Sequence, residues 1–170
     1  MMKENISMSR DSKVLKEIKQ TRPFASQRQE AVIALLRTAG LIRREVDART
    51  QQYGITGQQY NVLRILRGAG KPLPTMEVAD RMIDPEPGIT RMFERLEKKG
   101  LVSRMRCSED GRRVLCTITE EGLDVLSRLD ELVTNLDTSA LNHLSDEDVK
   151  ELLRLLDLTR SCGFPTPGTC

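Results

Sequence analysis

The sequence predicts a mainly α-helical fold with one small β-hairpin, and three observations carry that expectation. Apolar residues recur at three- and four-residue spacing over long stretches near both ends of the chain. Between them, three shorter amphipathic segments are separated by Gly68-Ala69-Gly70-Lys71-Pro72 and by Pro85-Glu86-Pro87-Gly88, both strong breakers. The third segment leads directly into two alternating runs joined by Ser108-Glu109-Asp110-Gly111, the pattern of a hairpin.

Residues 1–25 read as a charged leader, partly helical around Val14, Leu15 and Ile18 and broken at Pro23. From Ser26 a long helix places Val32, Leu35, Leu36, Ala39, Ile42 and Val46 on one face and ends near Tyr53-Gly54, where glycine suits a C-cap. Thr56 caps a shorter helix carrying Tyr60, Leu63, Ile65 and Leu66. Thr75 is placed as the N-cap of a short helix over Met76 to Met82, followed by a turn at Ile83-Asp84. The next helix reaches about Lys99, with Ile89, Met92, Phe93 and Leu96 on its buried side. Gly100 ends it. Strands are expected over Leu101 to Cys107 and Arg113 to Thr119. Thr119 then caps a long helix through Leu123, Leu126, Leu129, Leu132, Val133 and Leu136. After a break at His143 to Asp146, Ser145 and Asp148 resemble a capping box for a last helix with Val149, Leu152, Leu153, Leu155 and Leu156. Residues 161–170, with two prolines and two glycines, are expected to be a disordered tail.

Composition narrows the function classes. A chain of 170 residues suits one ordinary domain or two small ones sharing a core. No apolar run approaches the roughly 20 residues of a membrane span, and the polar N-terminus does not read as a secretory signal. The expectation is a cytoplasmic protein without a membrane partner. The net charge of +2 hides a polarity, +7 over residues 1–70 against −8 over residues 120–157. One face can therefore approach a polyanion while another is held away. Cysteines at 107, 116, 162 and 170 form no CxxC pair, and His143 is the single histidine. This is a poor ligand set, so neither a metal site nor a cofactor is expected. Nor is there a phosphate-binding glycine loop or a nucleophile elbow, so the reading is not an enzyme and no catalytic residue is assigned.

Two short helices joined by a turn, the second one basic, fit a helix-turn-helix. On the second helix Thr90, Arg91, Glu94 and Arg95 take the polar face opposite Ile89, Met92, Phe93 and Leu96. Arginine can bond guanine bidentately, and threonine can reach a phosphate or a thymine methyl. Gly88, at that helix's N-terminus, allows close backbone approach to a phosphate. Arg104, Arg106, Arg112 and Arg113 surround the hairpin turn, where an arginine can enter the narrow minor groove. Asp110, two residues before Arg112, can bond back to the turn and hold the guanidinium. The candidate DNA-binding set is therefore Gly88, Thr90, Arg91, Arg95, Arg104, Arg106, Asp110, Arg112 and Arg113.

These residues resemble those of the MarR family of bacterial transcription regulators. The resemblance rests on Thr90-Arg91, Arg95-Leu96-Glu97, Gly100-Leu101-Val102, Asp110-Gly111-Arg112 and Ile118-Thr119-Glu120-Glu121-Gly122. It covers roughly Thr56 to Gly122 by motif and the rest by helix order. It implies a winged helix-turn-helix core over 55–122, with dimerisation helices at 26–54 and 123–160. It also implies a homodimer on a pseudo-palindromic operator in double-stranded DNA, with repression released by a small-molecule effector or by oxidation. Many members have small polar residues where this chain has Pro85-Glu86-Pro87-Gly88, so base reading is expected to shift onto Thr90, Arg91 and Arg95. A ligand pocket is the family expectation, and Arg37, Arg43, Tyr53, Tyr60, Met76 and Met82 are its candidate lining.

Several alternatives stay open at this level. The fold can serve as a protein-interaction module without DNA, and the flanking helices can pack only within one chain. Cys107 and Cys116, nearly symmetric about the turn, can be cross-strand neighbours in a thiol-based redox sensor or simply two small residues filling a strand face. The peroxide-sensing members carry their reactive cysteine near the N-terminus, and this chain has none before Cys107.

Overall fold

A computed structural model of the chain describes residues 12–84, 88–107 and 113–161, and two compact units divide between Glu45 and Val46. The first unit holds the short helix α1 (Lys13–Glu17) and most of the long helix α2 (Gln27–Gln51), which continues into the second. Ser12 caps α1, its hydroxyl accepting from Leu15 N at 3.3 Å. Val14 and Phe24 are buried, and Arg37 Nε lies 3.7 Å from Glu17 Oε2. The helix expected to carry an apolar face forms as α2, but Val32, Leu35, Leu36 and Ile42 of that face are exposed.

The second unit is built on α3 (Gly57–Ala69), α4 (Thr75–Asp80), α5 (Ile89–Lys98), α6 (Glu120–Leu141) and α7 (Asp146–Ser161). Thr56 and Gln59 form a reciprocal capping box at the start of α3, which ends at Gly70 in the left-handed region. Val62, Leu63 and Leu66 of α3 are buried with Val78 of α4, Phe93 and Leu96 of α5, and Leu126, Leu129 and Val133 of α6. Together they make one continuous core, the main favourable term for a domain of this size. A bidentate ion pair, Arg67 to Asp130 at 2.6 and 3.0 Å, ties α3 to α6 at the surface.

The sheet differs from the expected hairpin. It has three antiparallel strands in the order β1-β3-β2, where β1 is Leu73–Pro74, β2 Val102–Arg106 and β3 Val114–Ile118. Leu73 pairs with Cys116 and Pro74 with Leu115, so β1 occupies the free edge of β3. Two residues are too few to show alternation, and proline is tolerated there because the strand is an edge. This pairing also corrects the cap of α4. Pro74 stands at the N-cap without a side-chain bond, and Thr75 is the first helical residue. At the other end Ser161 belongs to α7, its hydroxyl donating to Asp157 O at 2.8 Å, and the rest of the expected tail, 162–170, lies outside the described residues.

The junction of sheet and α6 explains the Ile-Thr-Glu-Glu-Gly run. Thr119 Oγ1 donates to Gly100 O at 2.6 Å and accepts from Gly122 N at 3.1 Å. Thr119 N donates to Leu101 O at 3.2 Å. A Cβ on Gly122 would sit 2.3 Å from Leu101 O and 2.7 Å from Ile118 Cγ1, so only glycine lets α6 start against the head of β2. Ser145 and Asp148 form the expected box at α7, with Ser145 N to Asp148 Oδ2 and Asp148 N to Ser145 Oγ both at 3.2 Å. Yet α7 has no buried residue.

Candidate nucleic-acid interface

The ten residues of α5 separate into two faces. Phe93 and Leu96 are fully buried, and Ile89 and Met92 are packed against the same core. Thr90, Arg91, Glu94 and Arg95 are exposed on the opposite side, as the spacing predicts. The helix starts at Gly88, whose φ of +99° places it in the left-handed region. A side chain there would be strained although no atom lies within reach of a Cβ. The constraint on Gly88 is thus backbone conformation, and it leaves the amides of the first turn uncovered by a cap side chain. Pro85, Glu86 and Pro87 lie outside the described residues.

On the sheet, Val102, Arg104 and Arg106 share one face of β2, with Ile118, Cys116 and Val114 across from them. Arg106 is exposed. Arg104 is turned inward: its side chain is 23% exposed and its Nε stands 3.3 Å from Glu97 Oε2 of α5. That pair braces β2 against α5, so the sequence assignment of Arg104 acquires a second, internal role. Cys107 N donates to Arg113 O at 2.9 Å, which closes the described part of the hairpin. Arg113 is exposed beyond it, whereas Asp110 and Arg112 fall outside the described residues.

A groove of about 500 Å³ opens between α4, α5 and the sheet. Its walls bring together Thr90, Arg104 and Arg113 from the DNA-binding set with Met76 from the ligand set, alongside Thr75 and Glu77. The other ligand candidates are placed elsewhere. Tyr60 and Met82 are core residues, and Tyr53 packs partly buried against that core. Arg37 and Arg43 belong to the first unit. Glu77 is paired with Arg81 and Arg104 with Glu97, and Asp80 lines the groove together with Arg113, so its charges are mixed beside Thr90.

Cys107 and Cys116 are not cross-strand neighbours. Arg104 lies opposite Cys116, and Cys107 lies opposite Arg113, three positions along. The hairpin is centred one and a half residues earlier than symmetric placement of the two thiols would need, and the resulting three-residue offset sends them to opposite faces. Burial pushes the Cys116 thiol up to about 11, against a smaller opposing pull from Arg104, so it stays protonated and unreactive.

Two contributors escaped the sequence reading. Asn61 Oδ1 accepts from Ile83 N at 3.0 Å and anchors the chain after α4 to α3. Lys99, following α5, reaches Gly54 O and Gln59 Oε1. The Lys98-Lys99 pair before Gly100 was visible, but its direction required the fold. Among the described residues, no helix is long and apolar enough to cross a membrane, and no group of three potential ligands could hold a metal ion.

Comparison with known proteins gives one answer. The family model described as the transcriptional regulator SarA/Rot matches residues 46–129. The HTH-type transcriptional regulator FarR of Neisseria gonorrhoeae is 31% identical over 111 residues, covering 65% of this chain and 75% of that protein. A MarR transcription factor from Planctomyces limnophilus is 37% identical, with a TM-score of 0.61 over 79% of this chain and 98% of that one. A mutant MarR from E. coli, solved with operator DNA, is 25% identical with a TM-score of 0.68, covering 74% of this chain and 90% of that one. With an exposed basic face on α5, a three-stranded sheet beside it and relatives of this likeness, the chain belongs to the MarR family of transcriptional regulators.

Proposed function

We propose that this chain binds double-stranded DNA as a homodimer and acts as a ligand-responsive repressor at a pseudo-palindromic operator. The observation that carries the proposal is the division of α5, with Thr90, Arg91 and Arg95 exposed on one side and Phe93 and Leu96 fully buried on the other. A helix so anchored can enter a major groove, where Arg91 from its N-terminal half and Arg95 from its last turn meet base edges. The hairpin arginines, Arg106 and Arg113 with Arg112 between them in sequence, then reach the adjacent backbone or minor groove. Residues 55–122 form the DNA-binding part in this reading, and 26–54 with 123–160 form the dimer.

Dimerisation is supported by apolar surface that the single chain leaves open. Val32 and Leu36 of α2 are 57% and 64% exposed, and Leu153, Leu155 and Leu158 of α7 are about half exposed. Soluble chains rarely present such faces without a partner. The effector reading is supported by the groove beside Thr90, whose volume suits a small molecule. A ligand there would compete with DNA for Thr90.

Selection of bound sequences from random duplex, followed by gel shifts, tests the proposal. A palindromic consensus is expected, with affinity falling steeply as salt rises. Arg91→Ala should cost about 1–3 kcal/mol and relax base preference at one position per half-site. Arg112→Ala should weaken all duplexes alike and reduce the salt slope by about one. A protein that shifts no duplex at low salt is instead a winged-helix interaction module.

A further inference from the structure

Lys99 lies just past α5, at the same four-residue spacing that separates Arg91 from Arg95. A basic residue so placed would ordinarily extend the DNA-facing stripe. Its ammonium instead turns away from that stripe. It donates to the carbonyl of Gly54, 45 residues earlier, and to Gln59 Oε1 at 3.3 Å.

Those acceptors belong to a tightly bonded corner between α2 and α3. Gly54 closes the turn after α2 with a φ of +70°. Gln59 is buried, and its Oε1 also accepts from Thr56 N at 3.3 Å as half of the capping box. Asp47, near the end of α2, accepts from Gly57 N at 2.7 Å. The corner therefore has its own internal bonds, and Lys99 is an added donor bonded to it from α5.

We propose that Lys99 is a positioning residue that fixes the rotation of α5, and so the aim of Arg91 and Arg95. Phe93 and Leu96 hold α5 to the core, but apolar burial is non-directional and resists separation more than it resists rotation. The Glu97–Arg104 pair ties one side of α5 to β2, and a charged donor bonded at the C-terminal end adds a second directional tie, to the α2–α3 corner. It also joins α5 to the last residues of α2, so that a shift of this corner reaches the base-reading side chains. The inference rests on the DNA-reading role of α5 proposed above.

The test uses full-length protein, a duplex selected by the wild type from a random pool, and a scrambled duplex of the same length. Lys99→Met keeps the length of the side chain and removes its donors. It is expected to melt within a few degrees of wild type, to lower the affinity ratio of selected over scrambled duplex about fivefold, and to leave the salt slope unchanged. Lys99→Arg, which retains donors, should recover most of that ratio. Equal loss on both duplexes with a slope shallower by about 0.9 would make Lys99 a phosphate contact and overturn the proposal. An unchanged ratio would also overturn it. A wild type that shows no preference between the duplexes defeats the DNA-reading assignment itself, and that failure is seen before any variant is made.

Discussion

The middle of this chain and its flanking helices carry the same kind of apolar periodicity and spend it differently. In α3, α5 and the first half of α6, residues at helical spacing end up in one closed core, Leu63, Phe93, Leu96, Leu126 and Leu129 among them. In the N-terminal part of α2 and in α7 the same spacing stays largely open, with Leu36 and Leu153 each more than half exposed. Periodicity reports that a face wants covering, and it is silent on who covers it. The core is complete within one chain, whereas the flanks need something further, which the proposed dimer supplies.

The contrast yields measurable differences. The largest concerns the flanks. Replacing Leu153 and Leu158 together by glutamate removes four apolar side chains from a symmetric interface, at about 1 kcal/mol or more each because each is already about half covered in the single chain. Association should weaken by at least about a thousandfold. Sedimentation should then report monomer, with the folded lobe retained by circular dichroism. A dimer that survives both changes would place the interface elsewhere. In the core, Phe93→Ala should cost about 3–5 kcal/mol at any protein concentration, read as a lowered denaturant midpoint. If its effect instead varied with concentration, the division between core and flank would fail.

Smaller effects refine the same boundary. Gly122→Ala forces a methyl against the Leu101 carbonyl, and a loss of about 2 kcal/mol is expected, again independent of concentration. The smallest concerns Arg67 and Asp130. The guanidinium bonded to Asp130 holds its carboxyl below the ordinary aspartate value of 3.8. A depressed carboxyl contributes stability above its unfolded value and loses it as pH falls through the folded one. Asp130→Asn should therefore flatten the stability profile below about pH 4. Because both side chains are more than a third exposed, the change near neutrality should stay under about 1 kcal/mol. A larger change would mean the pair is buried in the assembled protein.

Most of the helical frame was legible because its signals are local. Thr56, Thr119 and Ser145 announced their caps, and Phe93 and Leu96 announced the inner face of α5. What stayed hidden depends on residues distant in sequence. Strand β1 exists only because β3 offers it an edge, and two residues carry no period. Register placed Cys116 opposite Arg104, which the near-symmetric spacing of the thiols could not give because the hairpin is centred one and a half residues before their midpoint. The exposure of Arg91 and Arg95 could be read from spacing, while the inward turn of Arg104 toward Glu97 could not. Gly122 was visible as part of a motif, but its reason is a carbonyl 21 positions earlier in the chain.

The sealed thiol of Cys116 turns the sheet into its own clock. It sits on the central strand, fully buried, with its proton held to about pH 11. In a variant whose other three cysteines are serine, a thiol reagent can enter only when β3 parts from its neighbours. The labelling rate then counts those openings, one strand at a time, in protein that is otherwise folded. Bound DNA that grips the hairpin would slow the clock, and the slowing would measure how much of the binding energy is spent holding the sheet shut.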